Sequence, residues 1–409
     1  MNIRQKRIKD IEEVKMDYEI IHLKKDEWKG TIIPIGYSTN EYYDVNVIKN
    51  IDGYNINLKR ELAKDMIVHT PEEYNFPDRL YDYEEESSYA WGIVEDEKLV
   101  ACIETVKEEW NKRLRIKELW VDDSISSKGI GTKLINLAKE RLIRERLRAL
   151  VLETQSCNVR AIDFYLKRGF TLTGLDTLAY SNNDINRREV RLEFGWIPPI
   201  RTKINKEKIE IREEKEEDYF KVEDLTRNAF WNKHGLGCDE HYLVHKLREH
   251  KDYIKDLSKV AIYNGDIVGT IMYSKSFVLD ETLNKHEVLT FGPLCIEPKY
   301  QGIGIGESLL KDTIIAAKDA NYKAIIIFGE PDYYPRLGFK TCDNFGITTS
   351  DGENFDAFMC YELNKGSLNS IKGKFYASEV FYNLPKDEVE DFDKKFRKLE
   401  KISFPDQWE

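Results

Sequence analysis

"SSKGIG" (Ser126 to Gly131) stands between "LWVDD" and "TKLINLAKERL", and "QGIGIG" (Gln301 to Gly306) stands between "LCIEPKY" and "ESLLKDTIIAAK". Each is a glycine turn between an alternating apolar strand and a segment with the 3.6-residue period of an amphipathic helix. Such a turn aims backbone N–H groups at the positive end of the helix dipole, which suits an anion such as phosphate. Glycine at alternate positions keeps that spot open and tolerates positive φ. The spacing is equally compatible with a purely structural turn.

The repeat organises the rest of the chain. "GIG" recurs at Gly129 and Gly304, and "GF" at Gly169 and Gly338. Two copies of one domain account for this in 409 residues. "GWIPPIRTKINKEK" (Gly195 to Lys208) separates them, with paired prolines and basic character. The predicted division is an N-terminal domain over 1–199, a linker over 200–208, a C-terminal domain over 209–384 and a helical extension over 385–409. Each copy reads as strand, turn, helix, strand, helix.

Upstream in the first copy, "YYDVNVIKNIDGYNINLKRE" predicts a hairpin turning at Asp52 and Gly53, and "YAWGIVEDEKLVACIETV" one turning at Glu95 to Glu97. The fold class is therefore α/β, with a mixed sheet flanked by helices in each copy. After the second GF, "DAFMCYEL" and "GKFYASEVFYNL" predict strands, and "PKDEVEDFDKKFRKLEK" an amphipathic helix.

Composition narrows the function. Hydrophobic residues make up 41% and charged residues 33%; no apolar run reaches the roughly 18 residues of a membrane span, and the first residues lack a secretory signal's apolar stretch, so a cytoplasmic protein is expected. Six scattered cysteines with no CxxC pair argue against a zinc site or disulfide framework. A net charge of −11, spread over both halves, makes nucleic acid an unexpected partner. Residues 71–104 hold 11 acidic and 2 basic residues, a local field that would attract a cation, or equally a solvated loop. "HYLVH" sets His241 and His245 at a zinc-pair spacing but lacks the following Glu, and no third ligand stands out, so no metal is expected and a surface or partly buried helix is the reading.

Neither turn fits a Rossmann site, which needs the glycines after the first strand, nor a P-loop, which needs Gly-Lys-Ser/Thr. The residues resemble the GNAT superfamily of acetyl-CoA-dependent N-acetyltransferases, whose hallmark is Arg/Gln-x-x-Gly-x-Gly/Ala. Gln301, Gly304 and Gly306 match it in full; Gly129 and Gly131 match, with Ser126 where Arg or Gln is expected. "EEWNKRLRIKELWVDD", "LVLETQSCNVRAIDFY" and "GFTLTGLDTLAY" are similar to streptothricin acetyltransferases, and the second half to a GNAT branch of mostly unassigned substrate.

The resemblance implies two tandem GNAT domains that use acetyl-CoA to acetylate an amine of a small cationic acceptor. It implies coenzyme A contacts at Ser126, Ser127, Lys128, Gly129, Ile130, Gly131, Thr132 and Asn158, and at Gln301, Gly302, Ile303, Gly304, Ile305, Gly306 and Glu307. Backbone groups of Leu119, Trp120 and Val121, and of Leu294, Cys295 and Ile296, would meet pantetheine or the thioester carbonyl. Tyr165 and Tyr334, each five residues before the Phe of GF, are the candidate acids for the leaving sulfur, against a packing role behind that turn. Glu118 and Glu153 are the candidate bases, against surface ion pairs. Two other readings stay open: one copy as a non-catalytic partner of its neighbour, or the whole chain as an acyl-CoA sensor.

Overall fold

A computed structural model describes residues 18–71, 77–82, 85–199 and 206–407. It divides into two compact units, Met1–Pro199 with Ile402–Asp406, and Ile200–Lys401 with Gln407–Glu409.

The first unit contains β1 (Ile21–Leu23), α1 (Lys25–Trp28), β2 (Tyr37–Asn50), β3 (Gly53–His69), β4 (Tyr89–Glu95), β5 (Lys98–Glu108), β6 (Arg113–Val121), α2 (Ile130–Arg144), β7 (Ala149–Gln155), α3 (Val159–Leu166), β8 (Thr171–Asp176), α4 (Asp184–Arg187) and β9 (Arg191–Trp196). Seven of these strands form one sheet in the order β1-β4-β5-β6-β7-β9-β8. Only β6 and β7 run parallel, because α2 carries the chain back across one face. Helix α2 buries Ile130, Leu134, Ile135, Leu137, Ala138 and Leu142, the stripe that its 3.6-residue period dictates.

Both predicted hairpins form. Asp96 and Glu97 turn β4 into β5 with φ of 47° and 63°, the left-handed pair that a two-residue hairpin loop requires. Strands β2 and β3 form a separate two-stranded ribbon. A ribbon of two strands has little stability alone, and this one is tied down at its base. Tyr43 N–H donates to Ser156 O at 2.8 Å, Arg60 forks between Glu41 and Asp163, and the Tyr37 hydroxyl donates to Gln155.

Residues 402–406 complete the first unit. The Trp91 indole N–H donates to Ser403 O at 2.8 Å, the Tyr89 hydroxyl to the Ser403 hydroxyl at 2.9 Å, Phe404 packs edge-on to Trp91, and Arg144 pairs with Asp406 at 2.9 Å.

The second unit contains β10 (Ile209–Glu213), α5 (Tyr219–Phe230), α6 (Glu240–Glu249), β11 (Lys259–Tyr263), β12 (Asp266–Leu279), β13 (Lys285–Ile296), α7 (Ile305–Asp319), β14 (Ala324–Phe328), β15 (Lys340–Thr341), β16 (Ile347–Thr348), β17 (Phe358–Glu362), β18 (Gly373–Tyr376) and α8 (Lys386–Asp393). The main path is β10-β11-β12-β13-β14-β17-β15, with β13 and β14 parallel and α7 crossing between them. The core plan of the first unit is thus repeated, with helices α5 and α6 standing in the sequence where the first unit has its ribbon.

Three expectations need correction. No α-helix lies between β14 and β15; Pro331 and Pro335 interrupt the segment, leaving one 3-10 turn at Pro335–Leu337. "GKFYASEVFYNL" is strand only over Gly373–Tyr376. The helix expected over 385–401 stops at Asp393, so the extension is not helical throughout. Of the 200–208 segment, residues 200–205 lie outside the described residues.

Candidate active site

In each unit the parallel strand pair opens into a V. Pairing of β6 with β7 ends at Arg115–Val151, although β6 continues to Val121 and β7 to Gln155. In the second unit the parallel register is Leu289–Ile325, while β13 runs on to Ile296. Leu119, Trp120 and Val121, and Leu294, Cys295 and Ile296, therefore lie where the neighbouring strand has diverged. The ladder's missing partner leaves room for an extended chain with amide groups of its own.

Above each V sits the glycine turn. Gly129 caps α2 with φ of 83°, and Gly304 caps α7 with φ of 94°. A Cβ on Gly129 would meet nothing within 4 Å, so the space beside this residue is open. Gly131 has a different reason: its Cβ would stand 3.0 Å from the Phe164 ring. Gly131→Ala is accordingly expected to cost about 1–3 kcal/mol by overpacking, and Gly129→Ala about 1 kcal/mol from the left-handed backbone. Thermal melts of the two variants check this order.

The residue that differs between the turns has a structural task in the second unit. Gln301 Nε2 donates to Ile296 O at 3.0 Å, bracing the turn against the strand end. Ser126 is too short to span such a gap. In its unit, Lys128 Nζ donates to the Tyr18 hydroxyl at 2.6 Å and Ser127 takes φ of 65°. Arg168, which the motif did not single out, stacks its guanidinium 3.5 Å from the Phe164 ring centre and donates to Thr132 Oγ1 in the first turn of α2. Glu307 pairs with Lys311 along the surface of α7 at 2.6 Å. Asn158 caps α3, its Oδ1 accepting from Ala161 N–H at 3.2 Å.

Beside the first V lies a cavity of about 260 Å³ lined by Asp78, Asp82, Glu104, Glu118 and Glu153, with Arg79, Arg115 and Lys117. Register builds it: Glu104 on β5 sits directly opposite Glu118 on β6, at a bulge. Asp78 arrives from a segment held by backbone bonds, Ile33 N–H to Asp78 O at 2.9 Å and Leu80 N–H to Thr31 O at 3.0 Å. Two of the cations also reach outside the cavity: Arg79 donates to Gly30 O at 2.7 Å and Arg115 to Glu108 at 2.7 Å. Glu104 is consumed by Tyr81 N–H and the Ser88 hydroxyl.

Glu118 makes no hydrogen bond or ion pair among the described residues. Burial pushes its carboxyl well above the usual range, and the charges of Asp78, Glu104 and Glu153 add to the shift. Glu153 is differently placed, held by Arg191 at 2.8 Å and by Arg115 at 3.7 Å. Both contacts are ion pairs made by nitrogens without a hydrogen bond of their own.

Tyr165 is buried against Phe164, Phe170 and Phe194. Burial and the nearby Glu118 charge both raise its phenol, so it stays protonated at neutral pH. Glu118 and Tyr165, far apart in sequence, are thereby within electrostatic reach of each other. In the second unit Tyr334 packs on Phe291, Phe339 and Tyr333, and burial raises its phenol as well.

The histidines of "HYLVH" are structural. His241 is fully buried, 3.3 Å from Asp393, and His245 lies 3.1 Å from Glu223. No group of three metal-ligating side chains occurs among the described residues, and no helix there is long and apolar enough to cross a membrane.

The family model for the acetyltransferase (GNAT) family matches residues 57–170 and 211–339. A streptothricin acetyltransferase from Escherichia coli is 33% identical over 115 residues, 28% of this chain and 66% of that protein. An uncharacterised N-acetyltransferase, YhbS, from Escherichia coli strain K12 is 28% identical over 140 residues, 34% of this chain and 81% of that protein. The crystal structure of YhbS from Escherichia coli in complex with CoA matches with a TM-score of 0.39 at 23% identity, covering 44% of this chain and 94% of that one.

Proposed function

The chain belongs to the acetyltransferase (GNAT) family, and from that premise we propose that its first unit transfers acetyl from acetyl-CoA to a primary amine of a small cationic acceptor. The observation that carries this reading is the carboxylate-lined cavity beside the V of β6 and β7. A streptothricin-type antibiotic is the best named acceptor, supported by the streptothricin acetyltransferase relative. A cytoplasmic location belongs to the same reading, supported by six free cysteines.

The residues fit the donor. The open space at Gly129 and the N–H groups starting α2 suit its pyrophosphate, with Lys128 and Arg168 adding positive charge nearby. Leu119 to Val121 line the gap for its pantetheine arm. Bound there, acetyl-CoA supplies an activated acyl thioester.

The chain's own part is to manage protons and position. Asp78, Asp82 and the other carboxylates draw in an ammonium. The arriving cation lowers the Glu118 carboxyl from its raised state, and Glu118 Oε then accepts the amine's proton. Tyr165 Oη holds its proton on the sulfur side. Glu153, tied to two arginines, contributes field rather than proton transfer.

Full-length protein with acetyl-CoA and spermidine or streptothricin is expected to release thiol, and no release with either would refute the proposal. The pH profile gives a second test. Transfer requires the Glu118 carboxylate, so kcat/KM rises with pH through a pKa above the usual carboxylate range. Asp78→Asn removes one like charge, and the acid limb is expected to move to lower pH.

A further inference from the structure

Glu104, Glu118 and Glu153 each have a counterpart in the second unit, fixed by strand register. The parallel pairs Leu114–Leu150 and Leu289–Ile325 correspond. Counting along β6 and β13 sets Pro293 at the place of Glu118, and along β7 and β14 sets Phe328 at the place of Glu153. The bulge that puts Glu104 against Glu118 recurs between Ile271 and Tyr273, which sets Met272 at the place of Glu104. Three carboxylates become a methionine, a proline and a phenylalanine.

The cross-strand neighbour changes with them. Glu153 faces Glu193 in the first unit; Phe328 faces Phe358 in the second, their rings stacked at 5.1 Å. Phe355 stacks on Phe328 at 6.0 Å and lies 6.2 Å from Phe358, so the three rings form a cluster, and Phe375 lies 6.2 Å from Phe328. Phe328 and Phe355 keep 51% and 48% of their surface exposed. Phe381 closes on Gly292, where a Cβ would come within 3.2 Å of its ring. An apolar, aromatic wall thus occupies the side of the sheet that is acidic in the first unit.

We propose that the second unit is an acyltransferase site for an amine carried on an aromatic or apolar body, distinct in acceptor class from the first. This rests on the family reading of the second V and glycine turn as a donor site. The aromatic body stacks on Phe328 and Phe355, and Met272, Pro293 and Phe328 leave no carboxylate at the three positions to pair with a polycation. The amine nitrogen forms a C–N bond to the acyl carbon of the thioester as the C–S bond breaks. Glu330 is exposed and its carbonyl accepts from Tyr334 N–H at 3.3 Å; the nitrogen's surplus proton passes by way of its carboxylate to water, and the departing sulfur takes the Tyr334 hydroxyl proton, which water returns.

The test uses full-length Glu118→Gln, which silences the first site, with acetyl-CoA and two probes, 2-phenylethylamine and spermidine. Expected is thiol release with kcat/KM at least about tenfold higher for 2-phenylethylamine. Phe328→Glu in that background is expected to lower the 2-phenylethylamine value about tenfold and to raise the spermidine value. Phe355→Ser, a second half-exposed position, is expected to lower only the former. Equal or reversed preference in Glu118→Gln, no release with 2-phenylethylamine, or a preference untouched by both aromatic substitutions would overturn the inference. Wild-type turnover of spermidine alongside such a failure leaves the first-unit reading standing. Failure of wild type on both spermidine and streptothricin with turnover of 2-phenylethylamine refutes that reading and supports the inference.

Discussion

Glu118→Gln is expected to lower kcat/KM for a cationic acceptor by about 10²- to 10³-fold, in the range that a positioned general base supplies. Glutamine keeps the shape of the side chain and removes its ability to take a proton. Because Glu118 makes no hydrogen bond or ion pair among the described residues, the substitution breaks nothing else. Coenzyme A affinity, measured by calorimetry, is expected to stay within about twofold of wild type. Equal loss in Glu153→Gln with little in Glu118→Gln would exchange the roles of the two residues. The arginine partners of Glu153 argue against that outcome.

Asp393→Ala is expected to destabilise the second unit by about 3–5 kcal/mol, the cost of stripping a buried charge of its partner. Arg227 has no exposed surface, and its Nε meets Asp393 at 2.5 Å. His241 lies against the same carboxylate. The lower end of the range is expected, since Asp393 keeps 26% of its side chain at the surface. Urea unfolding followed by tryptophan fluorescence measures it. Acid acts on the same cluster. Burial lowers His241 to about 4, whereas the unfolded chain titrates near 6.5. Between those values the unfolded state binds the proton first, so stability falls as pH drops from about 6.5 to about 4, by up to about 1.4 kcal/mol per pH unit.

Local patterns made much of the fold readable. The strand–turn–helix repeats at Gly129 and Gly304 and the hairpin turns at Asp52 and Asp96 depend on short-range chemistry, so their residues announce them. The helix expected after β14 failed for an equally local reason, Pro331 and Pro335. What sequence did not carry was convergence. Glu118 stood out on its strand, but its meeting with Asp78 depends on backbone bonds between residues 31–33 and 78–80. Its pairing with Glu104 depends on one bulge. Gly131 illustrates a subtler limit: the motif suggests access for a phosphate, whereas the packed neighbour is Phe164. Gln301 likewise braces the strand end.

The segment Ile402–Asp406 sets an order of events in biosynthesis. Trp91 and Tyr89 leave the ribosome early, yet their partner Ser403 is encoded after Ile200–Lys401, nearly all of the second unit. Domains usually fold in turn as they emerge. Here the first stays incomplete, with the Trp91 indole N–H lacking its Ser403 partner, until about 200 further residues have been made, at roughly 5–20 residues per second. A fragment ending at Pro199 therefore lacks five residues of its own fold, and supplying residues 402–406 as a separate peptide is expected to raise its melting temperature.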